Sequence, residues 1–237
     1  MNASLKQTAY DHVCAKLLRG DLRAGARLST LALARELDIS NMPVREALNQ
    51  LYAEGLVDRR PHAGCTVRRM DATELAELYE LRALLESFAA AECAKHISYK
   101  GLGELEDICA EMHRLAIAAR TVGSHEDRDY ILKINETDIR FHQTLIRSSG
   151  NRWVGQTASR IVLLARIMRA QIIPKVANIR WLTARHYRLH TTILRVIRSG
   201  DVEAARALLA AHVLSGNPLT KIRPLEFPGG IATDNGT

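Results

Sequence analysis

Several features that define common protein classes are missing from this chain of 237 residues. The four cysteines are scattered without CxxC spacing, which predicts reduced thiols in a cytoplasmic protein. There is no signal peptide, no lipidation motif and no long uninterrupted apolar run, so nothing predicts export or a membrane span. Aromatic residues make up only 5% of the chain, which argues against a protein that binds single-stranded nucleic acid by base stacking.

The composition that is present favours a globular protein with a polyanionic partner. Lys and Arg number 33 against 26 Asp and Glu, which gives a formal net charge of +7. This excess favours contact with nucleic acid, although many basic proteins bind none. Hydrophobic residues make up 47% of the chain, which is ample for the cores of one large or two ordinary domains. Composition therefore does not show whether the protein binds nucleic acid, and sequence motifs are needed to decide this.

Residues 28–67 carry the most informative local pattern. Apolar residues at helical spacing stop at Asp38, and Ser40 then offers an N-cap for a second helix. Pro43 falls in the first turn of that helix, where its missing N–H costs nothing. The sequence therefore predicts two helices joined by a tight turn.

A hairpin is predicted directly after this pair of helices. Gly55 closes the second helix, and two short β-type runs follow on either side of the turn at 61–64. An amphipathic pattern over residues 5–19 predicts another helix in front. The order helix, turn, helix, hairpin is typical of a winged helix-turn-helix, whose second helix can enter the DNA major groove.

The rest of the chain is predicted to be helical, with almost no strand signal. The predicted helices cover 74–97, 102–120, 127–148, 152–173, 177–199 and 201–215. The predicted breaks are at Gly101, Gly123, Gly150, Pro174 and Gly200. We therefore expect a mainly α protein, in which a winged helix-turn-helix domain (1–70) precedes an antiparallel all-α bundle (71–217) and a poorly ordered tail (218–237).

The predicted second helix of the winged domain supplies candidates for reading DNA. Asn41, Met42 and Arg45 lie near its N-terminus, opposite the apolar stripe, and Arg45 suits the O6 and N7 atoms of guanine. Asn41 suits adenine. Other arginines would hold phosphates or probe the minor groove, although a merely solvated role is open for Arg59. The expected DNA-contacting residues are Arg35, Ser40, Asn41, Met42, Arg45, Arg59, Arg60, His62 and Gly64.

A carboxylate and three imidazoles form a second candidate site in the bundle. Asp138 and His142 are spaced i, i+4 and project from the same helix face, while His190 and His212 come from two later helices. Such a set suits a divalent transition metal, with positions left open for water or ligand. A structural role for a buried histidine is the alternative, and His186 competes with His190 because it lies one helical turn earlier.

The N-terminal part of the chain resembles a known family. The run SNMPVREALNQLYAEGLV at 40–57, followed by a glycine-containing wing, is similar to the N-terminal domain of GntR-type bacterial transcription regulators. The resemblance covers roughly residues 5–70. The family usually has arginine after the capping serine, where this chain has Asn41, and often Pro-Gly where it has Ala24-Gly25. The first departure implies an operator that lacks, at one position, the guanine expected for family members with arginine there.

The second part of the chain resembles the FadR-like C-terminal domain called FCD. The resemblance covers roughly residues 71–215. It rests on LYELRALLE at 78–86, DIRFHQTLIRSSGN at 138–151 and HTTILRVIRSGDVEAARALLAAHV at 190–213. It implies a bound metal, zinc or nickel being the expected ions. The positions that match the family's metal ligands are Asp138, His142, His190 and His212.

The resemblance also implies a small organic acid as effector, coordinated to the metal and gripped by an arginine. Arg82 lies on an apolar helix, and a guanidinium offers a fork of N–H donors to a carboxylate. An ion pair between Arg82 and Glu86 at i+4 is the equal alternative, and the two are not exclusive. Arg166 and Arg169 are further candidates, and Glu86 is included in the expected effector site.

These features favour a ligand-responsive transcription regulator over an enzyme. One recognition helix reads too few base pairs to be selective, so we expect a homodimer on a roughly palindromic operator. The alternative is a metalloenzyme in which the metal activates water and Glu86 acts as general base. The predicted DNA reader and the lack of a nucleophile motif or glycine-rich phosphate loop argue against it. A purely architectural DNA-binding protein would not need the inward-facing Asp and His residues.

Overall fold

The structure, a computed structural model, describes residues 4–60, 64–120, 128–172 and 179–217. The centre of the predicted wing turn and the tail after residue 217 lie outside these ranges. None of the helices in the described ranges is long and apolar enough to cross a membrane. In chain order the elements are α1 (Leu5–Arg19), β1 (Arg27–Leu28), α2 (Thr30–Leu37), α3 (Asn41–Ala53), β2 (Val57–Arg60), β3 (Gly64–Val67), α4 (Ala72–His96), α5 (Tyr99–Ala118), α6 (Arg128–Ser148), α7 (Arg152–Ile172), α8 (Ile179–Ser199) and α9 (Val202–Leu214).

The N-terminal elements form a winged helix-turn-helix, as predicted. Helices α1, α2 and α3 bury their apolar faces together, with Leu17, Val44 and Leu51 fully enclosed. Strands β2 and β3 pair antiparallel as the wing, and β1 joins the other side of β3 to give the order β1-β3-β2. Strand β1 was not predicted, because two residues are too short to show the alternation that marks a strand in sequence.

The turn between α2 and α3 depends on one unusual backbone conformation. Asp38 adopts a left-handed conformation (φ 52°), which a short polar side chain tolerates better than most. Ser40 occupies the N-cap position of α3 with extended backbone, but its hydroxyl makes no capping hydrogen bond within the described part of the chain. Gly55 follows the last cap residue of α3 with φ +78°, as expected for a glycine that ends a helix.

The remaining six described helices form the predicted bundle. Helix α4 packs against α6, α7, α8 and α9, and α5 packs against α6 and α8. Asp71 caps α4 by accepting from the Glu74 N–H (2.8 Å), and Asp201 caps α9 by accepting from the Ala204 N–H (3.0 Å). The largest enclosed side chains of this core are Tyr79, Leu75, Leu105, Phe141, Leu145, Ile146, Ile167, Met168 and Ile193.

One predicted helix break is wrong. Gly101 was expected to precede α5, but it lies in the first turn of that helix, whose N-cap is Ser98. A Cβ atom on Gly101 would lie 2.7 Å from the Ser148 Oγ atom of α6. Glycine is therefore favoured here because two helices approach closely, which a sequence pattern cannot distinguish from a helix end.

Candidate metal centre and DNA-reading surface

Three helices bring one carboxylate and three imidazoles together inside the bundle. Helix α6 contributes Asp138 and His142, α8 contributes His190, and α9 contributes His212. One potential ligand atom from each residue lies within 4.8 Å of all the others. The first three side chains are buried and His212 is partly buried. The four residues that the sequence analysis selected therefore converge on a single point.

Two of the histidine rings are oriented by partners behind them. His190 uses Nδ1 toward the backbone carbonyl of His186 (2.7 Å), which leaves Nε2 facing Asp138 Oδ1 at 3.4 Å. His142 places Nδ1 against a carboxylate oxygen of Glu86. Metal-binding histidines are commonly held in this way, because a donor bond at one nitrogen directs the lone pair of the other toward the ion.

The rings of His142 and His212 lie face to face, with their Nε2 atoms within hydrogen-bond distance. Their Nε2 atoms lie 3.3 Å apart, and the rings are stacked nearly parallel. Burial lowers the pKa of His212 well below its usual value, and the neighbouring His190 and His142 lower it further. Burial likewise lowers the pKa of His190, although Asp138 opposes this shift. Neutral imidazoles with converging lone pairs are the form that binds a metal ion.

Asp138 is held in its charged form at the centre of the cluster. Burial by itself would raise the pKa of this carboxyl, but Arg166 and the nearby histidines hold it well below its usual range. The Arg166 Nη2 atom lies 2.5 Å from Asp138 Oδ2. The carboxylate thus has one oxygen toward an arginine and the other toward the histidines. A carboxylate and three imidazoles match the nitrogen and oxygen ligands of zinc and similar divalent ions.

His186 lies next to the cluster but is not part of the converging set. Its Nδ1 atom is 3.5 Å from Asp138 Oδ1, and burial lowers its pKa well below the usual value. The four residues whose ligand atoms meet include His190 and leave His186 outside. The His186 side chain is a neighbour of the Asp138 carboxylate, and its backbone carbonyl orients the ring of His190.

Arg82 and Glu86 form a buried ion pair on α4. The Arg82 Nε atom donates to Glu86 Oε1 at 2.7 Å, and the side chains are 4% and 0% exposed. Burial would raise the pKa of Glu86, but Arg82 and His142 lower it to about 2. Spacing alone predicts the pair with Arg82, whereas nothing in the sequence links Glu86 to His142, which lies on another helix. Glu86 is therefore a partner of both Arg82 and His142, which belongs to the candidate metal cluster.

The other two arginines differ in their partners. The Arg169 Nε atom donates to the Gly216 carbonyl at 3.3 Å. Arg166 contacts Asp138, but its Nε atom has no hydrogen-bond partner among the residues that the structure describes. The buried hydroxyl of Tyr79 is likewise without a partner in those ranges. Buried donors of this kind normally have an acceptor, so a polar ligand or water is expected beside them.

The candidate base-reading residues lie on the exposed side of α3. Asn41, Met42 and Arg45 are exposed, while Val44 and Leu48 of the same helix are buried in the domain core. Met42 is 67% exposed. The N-terminal end of α3 is thus free to meet another molecule, as a recognition helix requires.

The remaining DNA-contact candidates are spread around this helix. Ser40, at the N-cap of α3, Arg35 on α2 and Gly64 at the start of β3 are all exposed. Arg59 is exposed as well, but its guanidinium contacts the Asn49 side chain and lies over the Tyr52 ring. This intramolecular contact fits the solvated or structural alternative for Arg59. The side chain of Arg60 and all of His62 lie outside the described residues.

The comparisons with known proteins agree with this geometry. Residues 5–67 match the bacterial regulatory proteins of the gntR family, and residues 77–215 match the FCD domain. The chain belongs to the GntR family of bacterial transcription regulators, in the group that carries an FCD domain. Members of this family bind operator DNA and typically form dimers.

Individual relatives support the same assignment. The Nta operon transcriptional regulator of Aminobacter aminovorans is 30% identical over 81% of this chain and 82% of its own length. An uncharacterized HTH-type transcriptional regulator of Mycobacterium tuberculosis is 35% identical over 103 residues, a match that spans 44% of this chain and only 42% of the relative. The solved structure of E. coli McbR/YncC shares the fold, with a TM-score of 0.74 at 22% identity over 91% of this chain and 96% of that one.

Proposed function

We propose that this regulator controls transcription through a divalent metal and a small carboxylate bound in the bundle. The observation that carries the proposal is the convergence of Asp138, His142, His190 and His212 within 4.8 Å. The site lies in the same chain as a winged helix-turn-helix, so a ligand bound there could be coupled to DNA binding. Zinc or nickel suits the ligand set of three imidazoles and one carboxylate. When bound, the metal supplies a Lewis acid to which a carboxylate can coordinate.

The carboxylate effector would lie beside Asp138, where Arg166 has an unpaired buried donor within the described ranges. A guanidinium grips a carboxylate through two parallel N–H bonds. Arg82 is already engaged with Glu86, so we assign it mainly to holding Glu86 against His142. Arg169 lies three residues from Arg166 on α7 and is retained as a second candidate for the effector site.

On DNA, two copies of the chain would each place α3 in one major groove of a roughly palindromic operator. Arg45 would read guanine and Asn41 would read adenine. Ser40 and Met42 would lie against the same groove, while Arg35 and the wing residues Arg59, Arg60, His62 and Gly64 would hold the sugar-phosphate backbone or the minor groove. Because members of its family bind operator DNA, we propose the cytoplasm as the place of action.

The test starts from protein stripped of metal by a chelator. Zn²⁺ and Ni²⁺ are titrated by calorimetry, and DNA selected by the full-length protein from a random pool serves as the operator. Operator affinity is then measured with and without metal and with a panel of small mono- and dicarboxylates. We expect one metal ion per chain and a change in operator affinity of about five- to 150-fold with the active carboxylate. If no carboxylate changes the operator affinity of the metal-loaded protein, effector control is contradicted.

Conservative variants test which arginine holds the effector. Arg166→Lys keeps the positive charge beside Asp138 but removes the bidentate fork, so it should abolish the carboxylate response while leaving operator binding intact. Arg82→Lys is the matched variant on α4 and should retain the response. If Arg82→Lys loses the carboxylate response and Arg166→Lys keeps it, Arg82 is the residue that binds the effector. Turnover of any carboxylate by the metal-loaded protein would instead favour the metalloenzyme alternative.

A further inference from the structure

One side chain of the bundle makes three hydrogen bonds to the backbone of the winged domain. Gln171, at the end of α7, donates through Nε2 to the carbonyl of Leu17 (3.0 Å) and to that of Leu22 (3.1 Å). Its Oε1 atom accepts from the Ala24 N–H at 2.9 Å. The segment it grips is the end of α1 and the loop that follows. A glutamine amide that satisfies two carbonyls and one N–H at once fixes both position and orientation.

Gln171 belongs to a row of contacts along one face of α7. The Arg160 guanidinium donates to the Ala53 carbonyl at the end of α3, and Leu164 lies close to Gly55. These α7 residues are spaced four and then seven positions apart, which places them on the same side of a helix. Helix α7 therefore touches the winged domain from its middle to its C-terminal end, with Gln171 as the most extensively bonded contact.

Another face of the same helix touches the candidate metal centre. Arg166 lies five residues before Gln171 and places Nη2 2.5 Å from Asp138 Oδ2. A cation bound at the histidine-facing oxygen of Asp138 would compete with Arg166 for the negative charge of that carboxylate, although Arg166 faces the other oxygen. Metal binding would thus weaken the ion pair that joins α7 to α6.

On the side of the winged domain, the gripped segment leads directly to the recognition helix. Helix α1 packs against α3, and the Tyr10 hydroxyl donates to Glu54 Oε2, at the C-cap of α3, at 2.6 Å. A movement of the end of α1 is therefore passed to α3 through packed side chains and a hydrogen bond. The orientation of α3 decides whether two copies can occupy successive major grooves.

We propose that Gln171 is a hydrogen-bond latch that fixes the winged domain on α7 and carries the metal state of Asp138 to the recognition helix. The proposal rests on the metal control of DNA binding put forward above and assigns its route. Arg166 is the connection at the bundle end, and the backbone from Leu17 to Ala24 is the connection at the DNA-binding end. Coupling between two sites requires such an element, whose position both sites influence.

Variants of Gln171 in the full-length protein test the latch. Gln171→Met keeps the length of the side chain and removes all three hydrogen bonds. Gln171→Glu keeps an acceptor for the Ala24 N–H but loses the donors to Leu17 and Leu22. Gln156→Met is the matched control, because Gln156 is an exposed residue of the same helix. Thermal melting in the absence of metal verifies that each variant is folded.

The first measurement is amide hydrogen exchange at Ala24, which reports the latch without DNA. Gln171→Met should speed exchange there by about tenfold, the factor expected for the loss of one hydrogen bond, and Gln156→Met should leave it unchanged. In the wild-type protein, Zn²⁺ should change the exchange rate at Ala24. Exchange at Ala24 that is the same with and without Zn²⁺ would overturn the proposed route.

The second measurement is operator affinity with and without Zn²⁺, using the DNA selected by the wild-type protein. We expect the ratio of the two affinities to be about five- to 150-fold for the wild type and for Gln156→Met, and within about twofold of unity for Gln171→Met and Gln171→Glu. An undiminished ratio in both Gln171 variants would overturn the latch while leaving metal control intact. A wild-type ratio of unity would refute metal control itself, and the latch with it.

Discussion

On α3 the side chains of Asn41, Met42 and Arg45 are exposed, whereas in the bundle those of Asp138, His142 and His190 are buried. The first set lies on a helix whose opposite face is apolar and buried, and its side chains point into solvent. The second set lies within a network of charged partners that includes Arg166 and Glu86. The two candidate sites therefore differ in burial: one is an exposed helix face and the other is a buried network of charged side chains.

The difference indicates what each region can tolerate. An exposed residue on a recognition helix can be exchanged with little effect on folding, so operator preference can change independently of stability. A buried polar network depends on all its members, because the loss of one leaves the others desolvated without a partner. Substitutions in the bundle should therefore affect stability, metal and DNA response together, while those on α3 should affect DNA alone.

The largest expected effect comes from breaking the buried ion pair on α4. Arg82→Ala leaves the fully buried Glu86 without its main counter-charge, which should lower the free energy of unfolding by about 3–5 kcal/mol. Lys95→Ala is the control on the same helix, because it removes an exposed pair with Glu92 at 2.7 Å. That change should cost less than about 1 kcal/mol. Urea unfolding of both variants gives the comparison, and equal losses would mean that burial does not distinguish the two pairs.

Removing a metal ligand should be the next largest effect. His142→Ala or His190→Ala should weaken Zn²⁺ binding by at least about 100-fold, since the loss of mere supporting partners already costs 10- to 100-fold. The stabilisation of the bundle by added Zn²⁺ should disappear in the same variants. Competition with a chromogenic chelator measures the affinity, and thermal melting with and without Zn²⁺ measures the stabilisation.

His186→Ala is the control for the assignment of that ligand. It should retain metal, because the converging set contains His190 and leaves His186 beside Asp138. Full occupancy after His190→Ala, together with loss after His186→Ala, would transfer the role to His186.

A smaller effect, confined to DNA, is expected on the recognition helix. Arg45→Ala should weaken operator binding by about 1–3 kcal/mol and relax base preference at one position of each half-site. Arg35→Ala should instead weaken binding to all sequences alike and flatten the salt dependence, as expected for a phosphate contact. Fluorescence anisotropy on operator and scrambled DNA separates the two. Unchanged selectivity in Arg45→Ala would show that another side of α3 faces the bases.

The smallest effect is a change of preference with little change of affinity. Asn41→Arg should replace adenine by guanine at one operator position, because asparagine pairs with adenine and arginine with guanine in the major groove. Selection from a random DNA pool by both proteins reveals the preferred base. If the two selections yield the same operator, Asn41 does not read a base.

Much of the fold could be predicted because local rules dominate it. The closing Gly55 and the helical spacing of apolar residues depend only on neighbours in sequence, and the structure places these elements as predicted. Gly101 was misread because its small size serves a contact with another helix. Strand β1 was missed because its pairing with β3 is decided by residues far along the chain.

The sequence by itself determined the two kinds of module and the residue types of the candidate site, since spacing on a helix decides which side chains share a face. Only the tertiary structure decided which atoms meet. It directs the free nitrogen of His190 toward Asp138, brings Glu86 to His142, and joins Gln171 to Leu17, Leu22 and Ala24. The physical reason is that hydrogen bonds between distant segments depend on ångström-scale packing, which no local pattern in the sequence records.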